Sequence, residues 1–207
     1  MMETFLTFQV NNYYVAVIFW NIFLALLPCL IAWRLSHGYY LKKWEHMSSM
    51  NRFLFGVTFL IWFFFFPNTA YLIADIRHLA DYCKELDYFR VCTEEAWVVP
   101  LFFTYALIGV PTFYYALKKM GVILEKLFGK VIGRFFPLLM IPVTALGLLL
   151  GLVARFNSWE VVTKPLSIVQ TALGYFSDEI MLINLLAYTL MLYLVYYSID
   201  LLLKKRK

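Results

Sequence analysis

Apolar residues fill five long stretches of the chain, 13–33, 53–74, 96–117, 135–154 and 180–203, and polar residues gather between them. A spanning helix needs about 20 mostly apolar residues at about 1.5 Å rise each. Each stretch meets that length, so the pattern predicts five membrane spans. Residues 160–176, EVVTKPLSIVQTALGYF, are amphipathic rather than uniformly apolar and contain Pro165. They are expected to form an interfacial or re-entrant helix, not a sixth span. No linker, low-complexity tract or internal repeat divides the chain, and a single domain over 1–207 is the simplest organisation. The expected fold class is all-α, a polytopic transmembrane helical bundle.

Composition agrees with this pattern. The 207 residues are 63% hydrophobic and 15% charged, with mean hydropathy +0.73, well away from the balance of soluble domains. A formal charge of +5 in a soluble chain would raise a nucleic-acid partner. Here the basic residues read instead as topology signals, and no nucleic acid is expected. Thirteen of the 18 Lys and Arg lie in 34–52, 118–134 and the tail from Lys204, whereas ten of the 13 acids lie in the alternate segments. That bias places the N-terminus outside and the C-terminus in the cytoplasm. A cell membrane is the expected location. The first run carries no preceding basic residue and exceeds a signal-peptide core, so it reads as a retained span.

The second span ends in FFFFPNTAYLIADIRHL, residues 63–79. At about 100° per helical residue, Asn68, Tyr71, Asp75 and His78 share an arc of roughly 80°. Pro67 removes a backbone donor and predicts a kink. Such a break is tolerated inside protein or beside a wet cavity, so this face should point inward. A second polar cluster, RFNSWE at 155–160, ends the fourth span on the same side of the membrane. Arg155 is expected either to latch onto Asp75 or to offer a donor fork to a phosphate or carboxylate. Structural alternatives stand beside these readings: Asn68 rescuing a carbonyl freed by Pro67, Asp75 and His78 as ordinary interfacial residues, and Trp159 as an interface anchor.

The two motifs together resemble the DUF1361 family of multi-pass membrane proteins, whose patterns read approximately F-P-N-x-x-Y-x-x-x-D-x-x-H-L and R-x-N-S-W-[DE]. The resemblance marks Pro67, Asn68, Tyr71, Asp75, His78, Arg155, Asn157, Trp159 and Glu160 as signature positions and assigns none of them a role. Glu160 stands where an aspartate is expected in many members.

Two functional classes follow. In the first, a polar pocket at the outer face, with Asn68, Tyr71, Arg155, Asn157 and Trp159 as ligand-binding residues, holds a lipid-linked or small polar ligand, or helps to assemble a membrane complex. In the alternative, a membrane-embedded hydrolase or transferase acts on a lipid or lipid-linked substrate. There Asp75, His78 and Glu160 are the catalytic candidates and also the candidate ligands of a divalent metal; without metal, His78 is the base that Asp75 orients. No G-x-S-x-G or H-E-x-x-H pattern supplies a nucleophile or zinc site. Gly147 and Gly151 form a small-xxx-small stripe, read as packing within the chain or as a homodimer face. Cys83 and Cys92, in the outer segment, are a disulfide candidate; Cys29 reads as an apolar filler.

Overall fold

The structure is a computed structural model and describes residues 9–10, 13–37, 44–79, 84–86, 89–91 and 96–204. The elements, in chain order, are β1 (Gln9–Val10), β2 (Tyr13–Tyr14), α1 (Val15–His37), a 3-10 turn (Trp44–His46), α2 (Ser49–Phe65), α3 (Pro67–Ala74), a second 3-10 turn (Asp75–His78), β3 (Lys84–Leu86), β4 (Phe89–Val91), α4 (Val98–Phe128), α5 (Lys130–Leu152), α6 (Glu160–Thr163), α7 (Pro165–Tyr175) and α8 (Glu179–Lys204). Five helical stretches are long and apolar enough to cross a membrane: Ala16–His37, Ser49–His78, Val98–Phe128, Lys130–Leu152 and Glu179–Lys204. The molecule is an all-α helical bundle and an integral membrane protein. The strands form two short antiparallel pairs, β1 with β2 and β3 with β4, which the hydrophobic pattern did not announce. The Cys83 and Cys92 pairing lies outside the described residues.

One boundary departs far from the sequence expectation. The third span does not stop at 117 but runs on to Phe128 with Lys118, Lys119 and Lys126 inside the helix. The expected 118–134 loop shrinks to Gly129, whose φ of 104° turns the chain directly into α5. Charge marks where a helix leaves lipid, not where it ends, because Lys, Leu and Glu are all good helix formers in water. At Pro67 the helix breaks as the proline predicts, and α2 and α3 meet at Phe66.

α4 is the centre of the bundle and touches α1, α3, α5 and α8. Trp62, Phe66 and Phe113 stack at its heart, with ring centroids 4.6 and 5.5 Å apart. The buried hydroxyls of Thr112 and Thr144 are satisfied within their own helices: Thr112 Oγ1 donates to Ile108 and Gly109 carbonyls, and Thr144 Oγ1 to Met140 O. Without such partners a hydroxyl in a lipid-embedded core would cost free energy. The glycine stripe of α5 is used inside the chain. A Cβ on Gly147 would stand 2.7 Å from Pro67 Cγ, and one on Gly151 3.7 Å from the Tyr71 ring.

α6 and α7 run along the side of the bundle, with Val162, Leu166, Val169, Leu173 and Phe176 all more than half exposed. Their spacing of three or four residues makes one continuous apolar stripe, the form expected of a helix lying in the membrane interface.

Candidate functional site

Pro67 sets the local geometry. Its missing N–H breaks the helix, and Thr69 N–H closes a tighter turn onto Phe66 O at 3.0 Å. Phe65 O thereby loses the N–H that a regular helix would direct to it. The Asn68 side chain supplies the replacement: Nδ2 donates to Phe65 O and to Ser158 Oγ, both at 2.8 Å. One amide repairs the kink and ties it to a loop 90 residues away. The carbonyl it serves is Phe65 O and not Phe63 O, which the missing Pro67 N–H leaves free, so the amide mends the turn at a neighbouring carbonyl and also acts as a bridge.

The loop after α5 is shaped by Arg155, the one non-glycine residue with positive φ (61°) among those described. This left-handed backbone folds the chain back so that Phe156 N–H reaches Leu150 O at 3.1 Å. Such a conformation costs of order 1 kcal/mol or more in a non-glycine residue and persists only where neighbours enforce it. Asn157 then caps α6 by a reciprocal arrangement. Glu160 N–H donates to Asn157 O at 2.9 Å, while Asn157 N–H and Nδ2 donate to Glu160 Oε2 at 2.8 and 3.2 Å. Lys164 Nζ holds the other carboxylate oxygen at 2.6 Å. Donation from the Asn157 backbone, followed by Lys164, draws the Glu160 carboxyl down to about 2.

Between α1, α3 and this loop lies a cavity of about 200 Å³. Asn21 and Trp20 of α1, Asn68 and Tyr71 of α3, and Arg155, Asn157, Ser158 and Trp159 of the loop line it, over a floor of Pro67, Gly147 and Gly151. Trp20 and Trp159 meet edge to face at 6.3 Å and are about half exposed, forming one lip. Paired tryptophans of this kind favour the membrane–water interface.

Asp75 and His78 sit beside this cavity and do not line it. Both fall on the 3-10 turn that ends the span, where residues three apart eclipse one another. His78 Nε2 consequently stands directly over Asp75 Oδ1 at 3.8 Å, and its ring stacks on Phe102. Asp75 is fully buried. Asn21, Arg77, His78 and Tyr105 are its polar neighbours, and among the described residues neither carboxylate oxygen has a hydrogen bond of good geometry. Arg77 spans the gap to α5, Nη1 donating to Leu152 O at 3.4 Å, and two of its other nitrogens are buried without an acceptor.

Of the sequence-predicted residues, the structure gathers Asn68, Tyr71, Arg155, Asn157 and Trp159 around one cavity. It separates them from Asp75 and His78, and it commits both Glu160 oxygens to the α6 cap. Among the described residues no group of three His, Cys, Asp or Glu side chains is close enough to hold a metal. The expected Arg155–Asp75 latch is absent as well: Arg155 is exposed on the loop, and the guanidinium beside Asp75 is that of Arg77. Asn21, Tyr105 and Ser158 were not singled out from sequence, and Arg77 reads from sequence only as an ordinary interfacial residue. Asn21 carried a readable signal, a lone amide inside an apolar span.

A family model described as a protein of unknown function, DUF1361, matches residues 20–195, most of the chain. No curated protein and no solved structure matches it.

Proposed function

Because the chain belongs to the DUF1361 family, whose own description gives no function, we propose a role from the cavity itself: it binds the polar head group of a lipid or lipid-linked molecule. The observation that carries this reading is the convergence of two distant segments, Asn68 with Tyr71 and Arg155 with Ser158, on one polar cavity beneath a tryptophan lip. At about 200 Å³ the cavity is smaller than the roughly 300–1,000 Å³ of whole-ligand sites. It suits a head group whose tails remain in the bilayer. Among the described residues Arg155 is the one charged residue in the lining, and its guanidinium offers a paired donor fork to phosphate or carboxylate oxygens. The asparagine and serine side chains add neutral donors and acceptors. The bias of basic residues toward the other end supports an outward-facing site and an outside N-terminus.

An enzymatic role rests on the Asp75–His78 pair. Its separation from the cavity lining and the capping role of Glu160 weigh against that role, so binding is favoured. The test is mass spectrometry of lipid and metal on detergent-purified wild type, Arg155→Gln and His78→Ala. Binding predicts that one lipid class is retained in near-stoichiometric amount and falls at least severalfold in Arg155→Gln, since a charge-assisted contact contributes about 1.5–3 kcal/mol. Indistinguishable lipid profiles in wild type and Arg155→Gln overturn it. A stoichiometric divalent metal lost in His78→Ala would transfer the argument to the enzyme.

A further inference from the structure

At the opposite end of the bundle α4, α5 and α8 enclose a second cavity, of about 260 Å³. Thirteen residues of α4, about 20 Å of helix, separate its Lys118 from Tyr105 beside Asp75. Lys118, Arg134 and Lys204 line it, against the carboxylates of Glu125 and Asp200.

The charges that line this cavity do not cancel. Asp200, buried to 7% exposure, accepts from Tyr114 at 3.1 Å, Lys118 at 2.7 Å and Lys204 at 2.8 Å. Those bonds latch α8 onto α4 and use up the carboxylate. Each lysine ammonium has three donors and no acceptor, and a guanidinium has five donors. Lys118 and Lys204 each spend one on Asp200. Arg134 makes no ion pair with a carboxylate among the described residues. Cationic side chains thus outnumber carboxylates by three to two in the lining, and beside it Gly133 lets the α4 and α5 backbones meet: a Cβ there would fall 2.9 Å from Gly121 O.

We propose that this cavity is a second binding site, which takes a phosphate-bearing anion, with Arg134 as its principal ligand and Lys118 and Lys204 as flanking donors. A phosphate offers several acceptor oxygens to converging cationic donors and supplies the negative charge that the lining lacks. It sits at the end of the bundle where the basic residues gather, and basic pockets between helices at that face suit anionic head groups. The phosphate can arrive on a lipid or free in solution. This site shares no residue with the one described above, so each stands or falls separately.

The test measures retention of phosphatidylglycerol against phosphatidylcholine by native mass spectrometry of the full chain, for wild type, Arg134→Gln and Lys130→Gln. Lys130 is exposed and outside the cavity lining, so it controls for diffuse charge. The proposal predicts preferential retention of the anionic lipid, reduced about tenfold in Arg134→Gln and unchanged in Lys130→Gln. Inorganic phosphate is titrated in a second arm: displacement of the lipid assigns a site open to free anions, and resistance assigns a head-group site. No anionic preference, or equal losses in Arg134→Gln and Lys130→Gln, overturns it, provided both variants unfold at the wild-type midpoint. If Arg134→Gln misfolds, Arg134→Lys, which keeps the charge and removes the fork, must lower retention.

Discussion

Replacing Gly147 with alanine tests whether the contact between α3 and α5 is as close as the structure has it. The added Cβ would lie 2.7 Å from Pro67 Cγ and 3.1 Å from Pro67 Cβ. Carbon atoms rest at about 3.5–4.0 Å, so the two helices must part by roughly 1 Å or the ring must move. A proline ring has no side-chain rotamer by which to swing away. Overpacking of this kind costs about 1–3 kcal/mol, and the better helix propensity of alanine returns up to about 1 kcal/mol. Gly56→Ala supplies the control, since a Cβ there meets nothing within 4 Å and only the propensity gain of about 0.5–1 kcal/mol remains. The propensity contributions cancel between the two variants, and Gly147→Ala should be less stable than Gly56→Ala by about 1–3 kcal/mol. Unfolding by SDS in mixed micelles, followed by tryptophan fluorescence, measures the difference. A Gly147→Ala protein as stable as Gly56→Ala would refute the packing argument, and with it the floor of the cavity.

A double-mutant cycle of Asn68→Ala and Ser158→Ala should give a coupling energy of about 0.5–1.5 kcal/mol. Asn68→Ala should be the costlier single change because it also strands Phe65 O; additive effects would deny the bridge. For Glu160, the folded-state value of about 2 lies below that of a free glutamate, about 4.3. The α6 cap is therefore fully supported above about pH 4.3 and loses that support as pH falls toward 2. Side-chain carbon NMR of Glu160 should report the low titration, and Glu160→Gln should remove the acid sensitivity of amide exchange in α6. A midpoint near 4.3 in the wild type would contradict the cap.

The pattern of apolar residues alone determined the five spanning helices and the amphipathic segment at 160–176, because a bilayer admits few solutions: backbone polar groups must be satisfied within each span and length is set by lipid thickness. It also carried Pro67 as a kink and the two polar motifs as neighbours, since both end spans on one side. Other features depended on contacts between residues far apart in sequence. Helical periodicity placed Asp75 and His78 on the same face as Asn68, whereas the span ends in a 3-10 turn packed against α4, which buries Asp75 and leaves His78 beside it. Glu160 matched a metal-ligand pattern in one dimension, but its partners three and four residues away claimed it first. The cavity itself, and the choice of Gly147 as the surface on which Pro67 rests, existed only once α3 and α5 were pressed together, because close approach is a property of two backbones and is written in neither of them alone.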